Sequence, residues 1–189
     1  MDATDNKRQM RQLFRKKRDE FASTLPPNDL ALAFSTAPSP LRDLFLPGRI
    51  LAFYLPIGSE ADPRALATCA VEAGCRTALP YVEARSTPMR FLFWNEGDAL
   101  EKGPFGLQQP SPDREPATPD IILTPLVAFD RRCNRIGQGA GHYDRAISIL
   151  PDAITIGIAW SVQEADCIPV DPWDQPLDAI LTEREWILP

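Results

Sequence analysis

The 189-residue sequence has little of what most metal and disulfide sites require. His142 is the single histidine, which excludes a site built from several histidines. The four cysteines, Cys69, Cys75, Cys133 and Cys167, include no C-x-x-C pair, which argues against a zinc site and against a disulfide framework. We therefore interpret the cysteines as small packing residues.

Long apolar runs are also absent. No stretch approaches 18 consecutive apolar residues, and the first ten residues are charged where a signal peptide would have an apolar segment. Hydrophobic residues make up 44% and charged residues 24% of the chain, which is typical of a soluble globular protein with a sizeable core. We expect a single domain over residues 1–189, located in the cytoplasm and without a membrane partner.

The net charge of −6 is unevenly distributed. Residues 1–18 contain seven basic and two acidic residues, a formal charge of +5, so the rest of the chain carries −11. An acidic body repels phosphate backbones, which argues against a nucleic-acid partner. A local basic cluster on an acidic monomer instead favours small anionic ligands.

The N-terminal segment predicts an amphipathic helix over residues 6–22. Its apolar residues fall at helical spacings, and a basic stripe lies beside them, made of Lys7, Arg11, Arg15 and Arg18. Leu25-Pro26-Pro27 ends this helix, and a second helix is expected from about Asn28 to just before Pro38.

Short apolar runs then alternate with helical segments. Strands are predicted near residues 49–55, 76–82, 89–94, 120–125, 153–159 and 177–182, and helices near 62–73 and 143–150. Strands that alternate with helices indicate an α/β fold: three layers, with a mainly parallel sheet flanked by helices, plus the N-terminal helix. Residues 95–119, rich in proline and glycine, predict a long and mostly irregular loop, of a length that is usually functional or mobile.

The densest motif is Arg135-Ile136-Gly137-Gln138-Gly139-Ala140-Gly141-His142-Tyr143-Asp144. Glycine permits a positive φ and close approach to a ligand, and the following helix start offers free N–H groups, so the segment suits a phosphate. The motif is neither the dinucleotide fingerprint nor a Walker loop. A tight turn that merely packs a helix on the sheet is the alternative, as helix capping is for Asp144.

The 135–144 segment resembles the R-L-G-x-G-x-G-Y-Y-D signature of the 5-formyltetrahydrofolate cyclo-ligase family. The resemblance continues in Lys7-x-x-x-Arg11, in the Tyr54–Glu60 segment (YLPIGSE), in Phe129-Asp130 and in the order of C-terminal residues that ends at 181–183. His142 departs from the family pattern at the first tyrosine, and Ala140 departs where glycine or lysine is common.

The resemblance implies an ATP- and Mg²⁺-dependent conversion of 5-formyltetrahydrofolate to 5,10-methenyltetrahydrofolate, with release of ADP and phosphate. Two alternatives remain: a folate- or nucleotide-binding relative without turnover, and another ATP-dependent ligase or kinase. The implied ATP-binding residues are Lys7, Arg11, Arg135, Ile136, Gly137, Gln138, Gly139, Ala140, Gly141, His142 and Tyr143. The implied folate-binding residues are Leu55 and Glu60. The implied metal ligands are Asp144 and Asp174, with Asp171 and Asp178 near enough in sequence to compete with Asp174.

Overall fold

The computed structural model describes residues 3–84 and 87–189. The α-helices are α1 (Ala3–Thr24), α2 (Pro27–Leu32), α3 (Ser39–Arg42), α4 (Arg64–Glu72) and α5 (His142–Ser148). The strands are β1 (Ile50–Ala52), β2 (Arg76–Tyr81), β3 (Arg90–Phe93), β4 (Leu100–Lys102), β5 (Gln108–Pro110), β6 (Pro116–Ala117), β7 (Ile121–Pro125), β8 (Ala128–Phe129), β9 (Arg135–Ile136), β10 (Ile154–Ile158), β11 (Ala179–Leu181) and β12 (Trp186–Ile187). Short 3-10 helices lie at Pro104–Gly106 and Ser161–Gln163.

An eight-stranded sheet runs through the molecule in the order β12-β11-β10-β7-β1-β2-β3-β6. The five central strands, from β11 to β2, are parallel to one another. Leu51 of β1 lies opposite Thr77 of β2 on one side and Ile121 of β7 on the other. The strands β3, β6 and β12 pair in antiparallel fashion at the margins, so the prediction of a mainly parallel sheet is confirmed.

Both faces of the central strands are buried because successive side chains alternate between two apolar layers. Leu51 and Leu123 point to the layer that contains Leu66 of α4 and Leu41 of α3. Their neighbours Ala52 and Ile122 point to the opposite layer, which contains Ile147 of α5. The three-layer arrangement follows from this alternation and agrees with the prediction.

The segment 95–119 is more ordered than the sequence predicts. β4 and β5 form an antiparallel hairpin, and β6 pairs with β3. The buried side chain of Gln109 fixes the hairpin to the main sheet, because its Oε1 accepts a hydrogen bond of 3.1 Å from the main-chain N–H of Val82. The irregular-loop prediction was wrong in this respect, since short polar strands have no apolar alternation that would reveal them.

Helix α1 starts earlier and ends later than predicted, and it packs against one apolar layer of the sheet and beside the start of the glycine segment. Phe14 is buried against Val127, Ala128 and Ile136, directly beside the start of that segment. Phe21 meets Trp160 with 5.5 Å between ring centroids. These contacts position the basic stripe of α1 over the carboxyl end of the sheet.

Within the two described ranges, no helix combines the length and the apolar character needed to cross a membrane.

Candidate functional site

A cavity of about 490 Å³ opens at the carboxyl ends of β1, β2 and β7. Tyr54, Val82 and Pro125, which end or follow these strands, line it. The sheet order reverses here, because β2 lies on one side of β1 and β7 on the other. Ligands of open parallel sheets gather at such a switch point. The hairpin of residues 100–110 adds Leu107 and Gln108 to the wall, so the segment predicted as a loop contributes to the site.

The glycine segment forms a tight turn on one side of the cavity. Gly139 and Gly141 have φ values of 106° and 65°, a region that favours glycine, and Gly141 is the residue before the first turn of α5. A Cβ added at Gly137 would meet no atom within 4 Å. The carbonyl oxygen of Gly137 accepts a hydrogen bond of 3.0 Å from Arg11 Nε. A cation of α1 therefore holds the turn in place.

Glu60 lies on another wall of the cavity as a buried carboxylate, with its side chain only 6% exposed. A turn closes from Glu60 N to Ile57 O at 3.2 Å, and Gly58 within it has a φ of 60°. Because of this turn, Glu60 Oε2 accepts a hydrogen bond of 3.0 Å from Ile57 N. Its Oε1 accepts one of 2.9 Å from Gln138 Nε2, and Arg18 Nη1 lies 3.6 Å from the same oxygen.

The cavity is also lined by two arginines of the basic stripe, Arg15 and Arg18. The family resemblance assigned no role to either of them. Arg15 Nη2 donates to Gln138 Oε1 at 2.6 Å, and Arg18 Nε donates to Ser59 Oγ at 3.0 Å. Their signal was present in the sequence, since they continue the helical spacing that starts at Lys7 and Arg11. Burial and the charge of Arg15 lower the pKa of Arg11, while Asp174 opposes them.

Lys7 lies deeper, outside the residues that line the cavity. Its Nζ donates to Asp171 Oδ2 at 2.6 Å and also to Asp174 Oδ2. Burial acts to lower the pKa of Lys7, but the hydrogen bonds and charges of the two aspartates outweigh it, and the pKa is raised. One predicted ATP ligand is thus paired with one predicted metal ligand.

Arg135 and Asp144 form a second such pair, with Arg135 Nη2 2.7 Å from Asp144 Oδ1. Arg135 also donates to the carbonyl oxygen of Gln175, which ties the turn to the segment after Asp174. Burial lowers the pKa of Arg135, and the charge of Asp144 opposes the shift. Asp178 holds a different place: its Oδ2 accepts from Thr155 N at 2.7 Å, so it links β10 to the start of β11.

Four of the remaining predicted residues line the cavity: Leu55, Ala140, His142 and Tyr143. Burial, together with the charge of Glu60, raises the pKa of Tyr143, whereas burial and Arg145 lower the pKa of His142. Burial therefore favours the uncharged form of both rings. The side chain of Ile136 is buried in the core beside Phe14, so that only its main chain is available to a ligand.

Among residues 3–84 and 87–189, no group of three or more metal-ligating side chains comes together. Mg²⁺ does not require one, because it is usually held by one or two carboxylates together with phosphate oxygens and water. Asp144, a carboxylate on the cavity wall beside the glycine turn, has the chemistry and the position for this role.

Comparison with known proteins identifies a matching family and several relatives of this chain. Residues 3–183 match the model of the 5-formyltetrahydrofolate cyclo-ligase family. A 5-formyltetrahydrofolate cyclo-ligase of Mycolicibacterium smegmatis is 34% identical over 157 residues, covering 78% of this chain and 80% of the relative. The 5-formyltetrahydrofolate cyclo-ligase of Escherichia coli K12 is 32% identical over 146 residues, covering 72% of this chain and 80% of the relative.

Solved structures agree with these relatives. The NMR structure of an Aquifex aeolicus 5,10-methenyltetrahydrofolate synthetase superposes with a TM-score of 0.72 at 26% identity, covering 95% of this chain and 92% of that one. A 5,10-methenyltetrahydrofolate synthetase from Mycoplasma pneumoniae shares the fold with a TM-score of 0.70 at 24% identity, covering 97% of this chain and 100% of that one. The chain is a member of the 5-formyltetrahydrofolate cyclo-ligase family.

Proposed function

We propose that this protein uses ATP and Mg²⁺ to convert 5-formyltetrahydrofolate to 5,10-methenyltetrahydrofolate, with release of ADP and phosphate. One observation carries the proposal: a glycine turn surrounded by arginines and a buried carboxylate, Glu60, face the same cavity. A phosphate and an uncharged ring edge rich in N–H donors would thereby be brought together. Membership of the family supports the same activity.

The ATP phosphates are proposed to lie on the main chain of residues 137–141, between Arg11 and Arg135. Guanidinium groups suit phosphate oxygens because they donate several hydrogen bonds in one plane. Lys7 acts from behind this layer, where Asp171 and Asp174 hold it. The nucleotide side is completed by Gly139, Ala140, His142 and Tyr143, whereas Ile136 and Gln138 contribute through their main chains.

The folate is proposed to bind through Glu60 and Leu55. A carboxylate can accept two hydrogen bonds from the amino-pyrimidine edge of a pterin, and Glu60 has two oxygens that already accept such bonds from N–H groups. Leu55 supplies an apolar contact on the same wall.

The chemistry asks for positioning and neutralisation of charge more than for a side-chain nucleophile. A formamide oxygen leaves poorly, so it first attacks the γ-phosphorus of ATP, which expels ADP. N10 of the folate then attacks the activated carbon and releases its proton, the five-membered ring closes, and the oxygen leaves with the phosphate. The arginines near the glycine turn stabilise the negative charge of the transferred phosphoryl group.

Asp144 and Asp174 are the residues proposed to hold Mg²⁺, which when bound would neutralise phosphate charge. In the free protein Arg135 pairs with Asp144, and Lys7 pairs with Asp174. With Mg²⁺ bound, Asp144 and Asp174 would serve as its ligands, and Arg135 and Lys7 would then be available to pair with the phosphates. Lys7 and Arg135 are thus each held by a carboxylate before ligands arrive.

The test is to incubate the protein with 5-formyltetrahydrofolate and MgATP and to follow the absorbance band of the methenyl product. Appearance of the band together with ADP supports the proposal. Binding of both ligands without the band indicates a relative without turnover, and release of ADP without the band indicates a ligase or kinase with another acceptor. A cytoplasmic location and a monomeric state are part of the proposal, and the latter is tested by sedimentation.

A further inference from the structure

The side chain of Gln138 joins the two halves of the cavity. Its Nε2 donates to Glu60 Oε1 at 2.9 Å, and its Oε1 accepts from Arg15 Nη2 at 2.6 Å. The orientation of the amide is determined by chemistry, because a guanidinium only donates and an ionised carboxylate only accepts. One planar group therefore holds a cation of α1 and the buried carboxylate together.

Each partner of Gln138 is a group that a ligand would need. The amide of Gln138 takes up Glu60 Oε1, so a ring edge that donates to this oxygen has to displace the amide. Arg15 lies on the cavity wall and also donates to the carbonyl oxygen of Gln138 at 3.3 Å. A phosphate at the glycine turn competes with Gln138 for this guanidinium.

Arg18 makes the displacement from Glu60 feasible. Its Nη1 is buried, has no hydrogen-bond partner among the described residues, and lies 3.6 Å from Glu60 Oε1. When the Gln138 amide leaves, this cation still faces the carboxylate. The negative charge of Glu60 is therefore not left alone in a buried position.

The two hydrogen bonds of the Gln138 side chain reinforce each other, because both restrict the same amide plane. Once one partner is lost, the side chain gains rotational freedom and the other bond is easier to break. We propose that Gln138 is a positioning residue that couples the binding of the folate to the binding of ATP, an inference that rests on the proposed function. The ligand that binds first loosens Gln138, and the second ligand binds more tightly for that reason.

The experiment compares affinities by calorimetry. The dissociation constant of the non-hydrolysable analogue adenylyl imidodiphosphate with Mg²⁺ is measured with and without saturating 5-formyltetrahydrofolate. For the unaltered protein, we expect at least about fivefold tighter binding with the folate present, the lower end of usual coupling strengths. The ratio of the dissociation constant without folate to that with folate is the measure of coupling. In Gln138→Ala and in Gln138→Met, which keeps the length but removes the amide, we expect this ratio to fall toward one while each ligand alone still binds.

Gln12→Ala is the matched control, because Gln12 is an exposed glutamine of α1 and should leave the ratio at its original value. A ratio that stays the same in both Gln138 variants overturns the coupling role while the proposed function stands. A ratio of one in the unaltered protein has the same consequence. If the unaltered protein binds neither ligand, the proposed function fails and the inference fails with it. A structure of the folate complex supplies a second measurement: Gln138 Nε2 should lie beyond hydrogen-bond distance of Glu60 Oε1, and an intact bond there contradicts the inference.

Discussion

At the scale of single residues, removal of the charge of Glu60 is expected to weaken folate binding much more than ATP binding. Glu60→Gln keeps the shape of the side chain but replaces one acceptor oxygen by a donor, which would face a donor of the pterin. A buried mismatch of this kind costs about 1–3 kcal/mol, so folate binding should weaken about tenfold to a hundredfold. ATP binding should change far less, because the contacts of Arg11 and Arg135 are with Gly137 and Asp144.

Separate calorimetric titrations of the two ligands check this prediction. Equal losses for both would show that Glu60 supports the fold, which is plausible for a residue that closes its own turn at 3.0 Å to Ile57 N. An unchanged folate affinity would mean that the pterin is recognised elsewhere in the cavity.

Substitution of Asp144 tests the proposed metal site. Asp144→Asn removes the anionic oxygen that Mg²⁺ prefers, and it also removes the charge that Arg135 pairs with at 2.7 Å. We expect the Mg²⁺ concentration needed for half-maximal turnover to rise. Asp178→Asn is a useful comparison, because Asp178 bonds the main chain of Thr155 and should affect thermal stability instead. An unchanged Mg²⁺ titration for Asp144→Asn would shift the metal to Asp174 or Asp171.

At the scale of elements, the turn before α5 depends on a backbone shape that few residues adopt. Gly139 has a φ of 106°, and a Cβ there would lie 3.5 Å from the guanidinium carbon of Arg11. Gly139→Val therefore adds backbone strain of about 1–3 kcal/mol and displaces a proposed phosphate ligand. We expect the affinity for the ATP analogue to fall at least about tenfold while folate binding persists.

Gly97→Val is the control for Gly139→Val, because it adds similar backbone strain outside the proposed binding site. Gly97 has a φ of 91° with open space around it, in a turn that closes from Asp98 N to Asn95 O and does not line the cavity. Its substitution should lower stability to a similar degree without a change in ATP affinity. Wild-type ATP affinity in Gly139→Val would remove the glycine turn from the nucleotide site.

The elements that the sequence predicts well are those with a strong local pattern. β7 and β10 are apolar runs bounded by turn residues, and α1 has a clear helical period, so each was located to within a few residues. β8, β9 and β12 have two residues each, too short for any pattern to show. The hairpin of β4 and β5 was not predicted because its short strands show no apolar alternation, and the buried polar side chain of Gln109 helps to hold it to the sheet.

Only those candidate site residues that the family resemblance or the helical spacing indicates could be predicted from the sequence. The sequence indicates the glycine turn and Glu60 as candidates, and the structure brings them to one cavity. The ion pairs of Lys7 with Asp171 and Asp174 join residues more than 160 positions apart, and no local pattern can reveal such a contact. Arg15 and Arg18 were visible as part of a stripe, but whether such a stripe faces solvent or a cavity is decided by tertiary packing.

At the scale of the whole molecule, the cavity is assembled from both ends of the chain. α1 supplies the arginines, the segment at Asp171–Gln175 anchors Lys7 and Arg135, and the carboxyl ends of the central strands form the floor. Ligands that bridge these parts bind the folded chain and not the unfolded one. Their binding must therefore stabilise the entire fold, since the parts cannot separate while the ligand is held.

Thermal unfolding measures this linkage directly. At about 100 times the dissociation constant, a ligand stabilises the fold by about 2.7 kcal/mol. For a chain of this size, that corresponds to a rise in Tm of roughly 5–11 °C. We expect such a rise with adenylyl imidodiphosphate and Mg²⁺, and another with 5-formyltetrahydrofolate. Glu60→Gln, at the same ligand concentrations, should keep the first rise and lose from about half to about five-sixths of the second. Loss of both rises would mean, as equal losses in the titrations would, that Glu60 supports the fold.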